Sequence, residues 1–410
     1  MTSADRAMLE AIPTDLAWWQ GRVTDWCDRN TGSRHDAGLM AFLPVLEEAF
    51  GALPGTLSRL SLEPEVIVGA DGLESRRPLA PALLVEVRSQ APVQAVFTGH
   101  YDTVFDITSP FQTVVEQEPG VLNGPGVADM KGGLLVMLEA LRAFEAHPAA
   151  ASFGYRILIS PDEEIGSPGS APVLARLGAQ ADIGFTYEPA LADGSMSGAR
   201  KGSGNFALVI RGRAAHVGRA HGEGRSAIAA AARFVAGLEA LNGARAGVTF
   251  NTGRIDGGGP TNVVPDLAVA RFNIRAPDAA DAAWARAAVD GLIADGASDG
   301  LAFQLTGGFT RPPKPRTPGQ EQVFADARAA AAQLGLELAF KDTGGVCEGN
   351  NLAASGCFNV DTLGVRGGLI HSDREFAILD SFPERARLSA ALIAGYASGT
   401  FDPKAPRRLG

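Results

Sequence analysis

Val93-Gln94-Ala95-Val96-Phe97-Thr98-Gly99-His100-Tyr101-Asp102 is an apolar run that stops at a glycine, an imidazole and an acid. β-Branched and aromatic residues closed off by turn formers predict a buried strand over Val93–Thr98. The pattern returns along the chain. Tyr155–Ile159 runs into Ser160-Pro161-Asp162-Glu163-Glu164, Ile183–Tyr187 into Glu188-Pro189, and Val360–Val365 into a glycine turn and then His371-Ser372-Asp373. Ala82–Val87 is a further apolar run of this kind. Between the runs lie stretches of helical periodicity: Lys131–Glu145 is one, and Asp36–Phe50, with Leu39, Phe42, Leu43, Leu46 and Phe50 on one stripe, is another. Strands alternating with helices predict an α/β fold, a sheet with helices on its faces.

The stretch from Phe206 to Leu305 reads differently. It predicts a strand (Phe206–Arg211), a helix (Ser226–Leu241), two strands (Val248–Ile255 and Leu267–Arg275), a helix (Asp278–Ala294) and a strand (Leu301–Leu305). This is the β-α-β-β-α-β order of ferredoxin-like α+β units. Glycines at Gly198, Gly202 and Gly204 precede it, and Arg311-Pro312-Pro313-Lys314-Pro315 follows it. The expectation is a discontinuous mixed-sheet catalytic domain over 1–202 and 312–410 that carries an inserted α+β domain over 203–311. A chain of 410 residues exceeds what one hydrophobic core usually organises, which agrees with two domains.

Charge and cysteine content narrow the function classes. With 36 Lys and Arg against 46 Asp and Glu, the formal charge of −10 speaks against a general affinity for nucleic acid or anionic membrane. Arg211, Arg213, Arg219 and Arg225 lack interleaved aromatics and are expected to be a solvated face with a fraction committed to substrate. Cys27, Cys347 and Cys357 are odd in number and lack zinc-finger spacing, so neither a disulfide framework nor a thiolate cage is expected. The first twenty residues carry Asp5, Arg6, Glu10 and Asp15 and have no continuous apolar core, and no stretch is long enough to span a bilayer. The expected location is the cytoplasm.

Ligands gather at the carboxyl ends of strands in open α/β sheets, so the acids and imidazoles that end these runs can meet although they are far apart in sequence. Asp129, in Asn123-Gly124-Pro125-Gly126-Val127-Ala128-Asp129-Met130-Lys131-Gly132-Gly133, lies just before a helix and joins the set. Imidazoles and carboxylates without thiolate favour zinc, with cobalt or manganese as alternatives. One His and one carboxylate for each of two ions, with a shared carboxylate, would use five ligands, and His100, Asp129, Glu164, Glu188 and His371 supply them. Asp102, two residues beyond His100, is placed to orient its imidazole. Glu163 is left over, and a free carboxylate beside the metals is what a general base requires.

Gly99-His100-Tyr101-Asp102-Thr103-Val104, the Asn123–Gly133 segment, Asp162-Glu163-Glu164-Ile165-Gly166-Ser167 and Tyr187-Glu188-Pro189 resemble the zinc-site motifs of a dinuclear metallopeptidase family. That family contains carboxypeptidase G (glutamate carboxypeptidase), aminoacylase, acetylornithine deacetylase and succinyl-diaminopimelate desuccinylase, and the glutamate carboxypeptidase branch is the most similar. The resemblance runs in order from about residue 95 to 375. It implies that His100 and Glu188 hold one zinc, that Glu164 and His371 hold the other, and that Asp129 bridges them. It implies Glu163 as general base and acid, and a cis peptide at Asp129–Met130. The inserted unit resembles the family's lid and dimerisation domain, which implies a homodimer. Within it, Ala214-Ala215-His216-Val217-Gly218 is similar to the motif whose histidine stabilises the oxyanion in the partner's site. Asn262 in Pro260–Pro265, together with Arg275 and Arg311, resembles the positions that hold the substrate's carboxylate, a task suited to a planar guanidinium.

One segment departs from the family. Where relatives have Gly-Gly-Thr-Asp or Gly-Gly-Ser-Asp, this chain reads Gly344-Gly345-Val346-Cys347-Glu348-Gly349-Asn350, which keeps the substrate-loop glycine Gly345 but changes the residues beside it.

The reading that follows is a metal-dependent hydrolase cleaving an amide bond next to a free carboxylate, in the manner of a carboxypeptidase. Its rivals are an N-acyl-amino-acid deacylase and a metal-binding protein without catalysis. The substrate would be a small peptide or an N-acyl amino acid.

Overall fold

The computed structural model describes residues 1–297 and 300–409; Gly410, the last residue of the expected catalytic body, lies outside them. Its main sheet has six strands in the order Thr56–Leu60, Ala82–Val87, Phe153–Ser160, Val93–His100, Ile183–Thr186 and Asn359–Val360. The first three pair antiparallel, and the strands from Phe153–Ser160 onward pair parallel. The sheet is therefore mixed, as expected. Its parallel part brings the ends of Val93–His100, Phe153–Ser160 and Ile183–Thr186 together, with His100 opposite Ser160 and Thr98 opposite Thr186.

Parallel strands need both faces covered, and their runs are correspondingly apolar. Phe97, Tyr155, Ile157, Phe185 and Tyr187 are completely buried on this sheet. The helix Lys131–Glu145, buried at all but Arg142 and Glu145, packs against it together with Ser381–Ala397. Gly133 permits the close approach: a Cβ there would lie 2.1 Å from the Tyr187 carbonyl oxygen, so no larger residue fits without moving the strand end that leads to Glu188. The N-terminal helices Ser3–Glu10 and Leu16–Cys27, which the apolar pattern had not revealed, add Trp19 and Trp26 to the same core.

A second sheet, in the order Ala190–Leu191, Arg366–Gly368, Phe376–Ile378, Val121–Asn123 and Val115–Glu118, lies beside the first site residues. It pairs Phe376 with Asn123, so the loop carrying His371 and the turn leading to Asp129 leave from neighbouring strands. The expected strand Val360–Val365 is shorter, spanning Asn359–Val360 alone. The reason is local. Asp361 turns inward to Arg200 and Lys314, and Thr362 takes a left-handed φ of 60°, which ends the ladder.

Gly202–Arg211, Thr249–Gly257, Leu267–Ala276 and Ala302–Arg311 form a separate four-stranded antiparallel sheet in the order 249–257, 267–276, 202–211, 302–311. That is the ferredoxin-like strand order. The helices Ala227–Ala240 and Ala279–Gly296 cover one face, over a core that includes Phe206, Leu208, Phe234, Phe272 and Ile274. On the other face lies the hairpin Glu65–Val68 and Glu74–Arg77, where Val68 packs on Val209 and Val269. Arg211 and Arg271 donate to the carbonyls of Gly72 and Val68 at 2.8 and 2.7 Å, and Glu74 accepts from Thr306 at 2.9 Å. Arg211 thus serves the fold rather than a substrate, and Arg213 likewise donates to the Glu223 carbonyl. Among the described residues no helix is long and apolar enough to cross a membrane.

Candidate metal centre

The strand end Val93–His100 delivers a fully buried imidazole to the edge of the main sheet. Its Nδ1 lies 3.0 Å from the backbone carbonyl of Asp102, which leaves Nε2 facing the cluster. Asp102 holds more than the ring. Its carboxylate accepts from Ser33 Oγ at 2.7 Å and from the backbone N–H groups of Glu163 and Glu164 at 3.2 Å, and so fixes the next acidic turn relative to the first histidine.

Asp129 reaches both imidazoles, one oxygen to each. Oδ1 is 3.1 Å from His100 Nε2 and Oδ2 is 3.3 Å from His371 Nε2. The peptide Asp129–Met130 is cis. Glu375, a residue that the sequence reading missed, is buried beneath this turn and accepts from the N–H groups of Ala128 and Asp129 at 3.0 Å each. Only its position, four residues beyond His371 and just before a short strand, could have singled it out.

The remaining acids divide between the imidazoles. Glu164 Oε2 lies 3.2 Å from His371 Nε2, while Glu188 Oε1 lies 3.7 Å from His100 Nε2. Glu163 Oε2 is 4.0 Å from the same His100 nitrogen, and Glu163 and Glu164 lie in a turn closed by the Gly166 N–H on the Glu163 carbonyl. The ligand atoms of His100, Asp129 and Glu164 lie within 4.8 Å of one another, and so do those of His100, Glu163 and Glu188.

Electrostatics argue for a cation here. Burial and the charge of Asp129 push the Glu164 carboxyl up to about 8, and burial with the same neighbour raises Glu188 well above the carboxylate range. Burial opposes ionisation of Asp129, yet the two imidazoles outweigh it and hold its carboxyl far down. Hydrogen bonds to Asp129 and Glu164 lift His371 to about 11, and for His100 the same kind of partners overcome burial and raise it well above its ordinary value. Glu188 Oε1 is buried without a hydrogen-bond donor. Packed acids with a deficit of donors, and imidazoles presenting their Nε2 atoms, fit a divalent metal with nitrogen and oxygen preferences.

The other expected site residues lie apart from this cluster or are differently engaged. His216 and Asn262 share an exposed ribbon, in which His216 pairs with Val263 and the Asn262 carbonyl accepts from the Val217 N–H at 3.0 Å. The His216 side chain caps a short helix by accepting from the Gly218 N–H. Arg275 is half-buried, with Nε donating to Asn273 Oδ1 at 3.0 Å, and its strand buries Ala268, Ala270, Phe272 and Ile274, with Val269 buried on the opposite face. Gly345 is exposed, and a Cβ on it would come within 3.6 Å of Arg200 Nη1. Arg311 is buried and directs its guanidinium at Glu163 Oε1, 2.6 Å away, and at Asn351 Oδ1, also 2.6 Å away. Cys347 and Glu348, the departures from the family pattern, are completely buried: Cys347 caps the helix Glu348–Ala354, and Glu348 accepts from Ser160 Oγ at 2.5 Å.

Carboxylates and imidazoles meeting at the strand ends of a mixed α/β sheet define the centre of a metal-dependent hydrolase. The family model for peptidase family M20/M25/M40 matches residues 96–395, and the chain belongs to that family. Among curated proteins it is similar to carboxypeptidase G2 of Pseudomonas sp. (strain RS-16), with 24% identity over 77% of this chain and 76% of that one. It is likewise similar to the succinyl-diaminopimelate desuccinylase of Nitrosospira multiformis, with 29% identity over 73% of this chain and 82% of the relative. Among solved structures, an M20 family metallo-carboxypeptidase from Sulfolobus solfataricus matches 93% of this chain and 99% of its own, with a TM-score of 0.71 at 16% identity; at that identity the likeness is one of fold.

Proposed function

We propose that this hydrolase cleaves the amide bond of a small peptide or N-acyl amino acid next to a free carboxylate, as a carboxypeptidase of the glutamate carboxypeptidase kind. The observation that carries the proposal is the Asp129 carboxylate with one oxygen toward each imidazole, beside a Glu163 oxygen 4.0 Å from His100. In this reading His100 and Glu188 would hold one zinc, Glu164 and His371 would hold the other, and both would share Asp129, with cobalt or manganese as alternatives. Bound zinc would supply Lewis acidity at the scissile carbonyl and lower the pKa of a coordinated water.

The chain's own groups do the rest. Glu163 takes the proton from the attacking water and returns it to the leaving amine nitrogen. Asp102 keeps the His100 ring oriented through its carbonyl. His216, exposed on a ribbon of the 203–311 lid, serves the oxyanion in a partner subunit of a homodimer formed through that lid, and Asn262 beside it belongs to the same surface. Arg275 and Gly345 are the candidates for the substrate's carboxylate. The proposed location is the cytoplasm.

A deacylase reading is favoured by the desuccinylase relatives, with identities near those of the carboxypeptidase. A panel of N-acyl and dipeptidyl amino acids separates the two by its hits. Activity should vanish on chelation and return with zinc, and Glu163→Ala should abolish turnover while metal stays bound. Full activity after complete chelation, or in Glu163→Ala, refutes the assignment.

A further inference from the structure

Arg311 ends the strand Ala302–Arg311, so it belongs to the four-stranded sheet, yet its side chain lies against the acidic turn of the main body and is 1% exposed. Nη2 donates to Glu163 twice, to Oε1 at 2.6 Å and to the backbone carbonyl at 3.1 Å. Nη1 donates to Asn351 Oδ1 at 2.6 Å, and Asn351 in turn donates through Nδ2 to the carbonyl of Thr310 at 2.8 Å. Both terminal nitrogens are therefore committed inside the protein. Nε is buried and has no hydrogen-bond partner, and a carboxylate gripping both terminal nitrogens would have to compete with Glu163 and Asn351.

Asn351 comes from the helix Glu348–Ala354, which opens with the Cys347-Glu348 departure. Neither residue of that departure reaches solvent, so neither can touch a substrate directly. Glu348 instead bonds Ser160, whose strand register lies opposite His100. The helix is packed beneath the acidic turn as a support.

We propose that Arg311, braced by Asn351, is a positioning residue that fixes the Glu163 carboxylate for proton transfer, and that it is not the substrate's carboxylate anchor. The proposal rests on the reading of Glu163 given above. A free glutamate samples many rotamers, and a base that must act on one atom gains from being held in one of them by a second residue. With Oε1 tied to Arg311, Oε2 is the oxygen left facing His100. The coupling also links the lid sheet to the chemistry: a shift of the strand end at Arg311 would carry the base with it.

The test uses the full zinc-loaded chain with Arg311→Gln, Arg311→Lys, Asn351→Ala, Glu163→Gln and the Arg311→Gln/Glu163→Gln pair. Thermal midpoints read the coupling without any assay of turnover. Glu163→Gln should shift the midpoint in the wild-type background and much less in the Arg311→Gln background. With N-benzoyl-L-glutamate as probe, Arg311→Gln should lower kcat on the order of tenfold or more, with KM within about threefold, and Arg311→Lys should recover part of the loss. Additive midpoints overturn the proposal. So does a KM raised with kcat unchanged, the signature of a lost carboxylate anchor. If Arg311→Gln does not fold, Arg311→Lys and Asn351→Ala read the same division, and an unchanged kcat in both overturns it. A wild type inert toward the whole substrate panel would instead fail the functional reading, while the midpoints still decide the Arg311–Glu163 coupling.

Discussion

His100 and His371 face the same carboxylate from opposite sides, but they are held in different ways. His100 ends a strand in the middle of the main sheet, with its side chain wholly enclosed. His371 sits on a hairpin loop with a left-handed φ of 62°, and 54% of its side chain is exposed. The inner half of the centre, His100 with Glu188, is part of the folded core. The outer half pairs the exposed loop residue His371 with Glu164, whose side chain, 4% exposed in the turn after Phe153–Ser160, is as enclosed as that of Glu188 at 10%, so the contrast lies between the two imidazoles. Side chains gathered around one carboxylate can therefore differ widely in what they contribute to folding.

The largest expected effect separates the halves directly. His100→Ala removes a buried partner of Asp129 and should cost more than about 3 kcal/mol, with loss of metal from the inner position. His371→Ala should fold within about 1 kcal/mol of wild type and lose only the outer equivalent, because an exposed loop residue carries little of the fold. Urea unfolding and metal analysis of the two variants decide it. Equal losses in stability would erase the distinction.

A smaller effect sharpens the comparison through packing. Gly133→Ala drives a methyl toward the Tyr187 carbonyl, the step before Glu188, and should cost about 1–3 kcal/mol while weakening inner metal binding. Gly368→Ala, near the outer loop, meets only the rim of the Phe376 ring at 3.2 Å and should cost about 1 kcal/mol or less. Paired thermal midpoints and zinc titrations would show it, and a milder Gly133→Ala would contradict the tight inner half.

The smallest expected effect is in pH. Burial pushes the Glu348 carboxyl, below the inner half, from 4.5 up to about 8. Between those values the folded chain holds a proton that the unfolded chain has lost, so this group's stabilising contribution is present below pH 4.5 and declines as pH rises through about 8. Glu348→Gln, which cannot titrate, should gain progressively on wild type as pH rises from 6 to 8. A difference that does not change with pH would place the carboxyl in a more polar setting.

The residues at the ends of apolar strands were the more legible in sequence. A strand followed by His100 and Asp102, or by Glu188, carries its own address, because the apolar run fixes where the chain ends up and the polar residue marks the end of the sheet. The β-α-β-β-α-β order between Gly202 and Arg311 was legible for the same reason: its strand and helix periods are regular enough to order all six elements. The run Val360–Val365 misled, since a buried Asp361 satisfied by Arg200 and Lys314 looks apolar by its neighbours yet breaks the strand. Arg311 and Glu348 were legible as charges but not as buried ones. Their burial depends on partners some 150 to 190 residues away, Glu163 and Ser160, and no local period encodes such a pairing.

Anomalous scattering at the zinc edge, from crystals of the full chain grown with zinc, tests the central claim most directly. Two peaks about 3.5–4 Å apart are expected, with Asp129 between them, His100 and Glu188 on the inner ion, and His371 and Glu164 on the outer one. A single peak away from Asp129, or none among these five side chains, would contradict it.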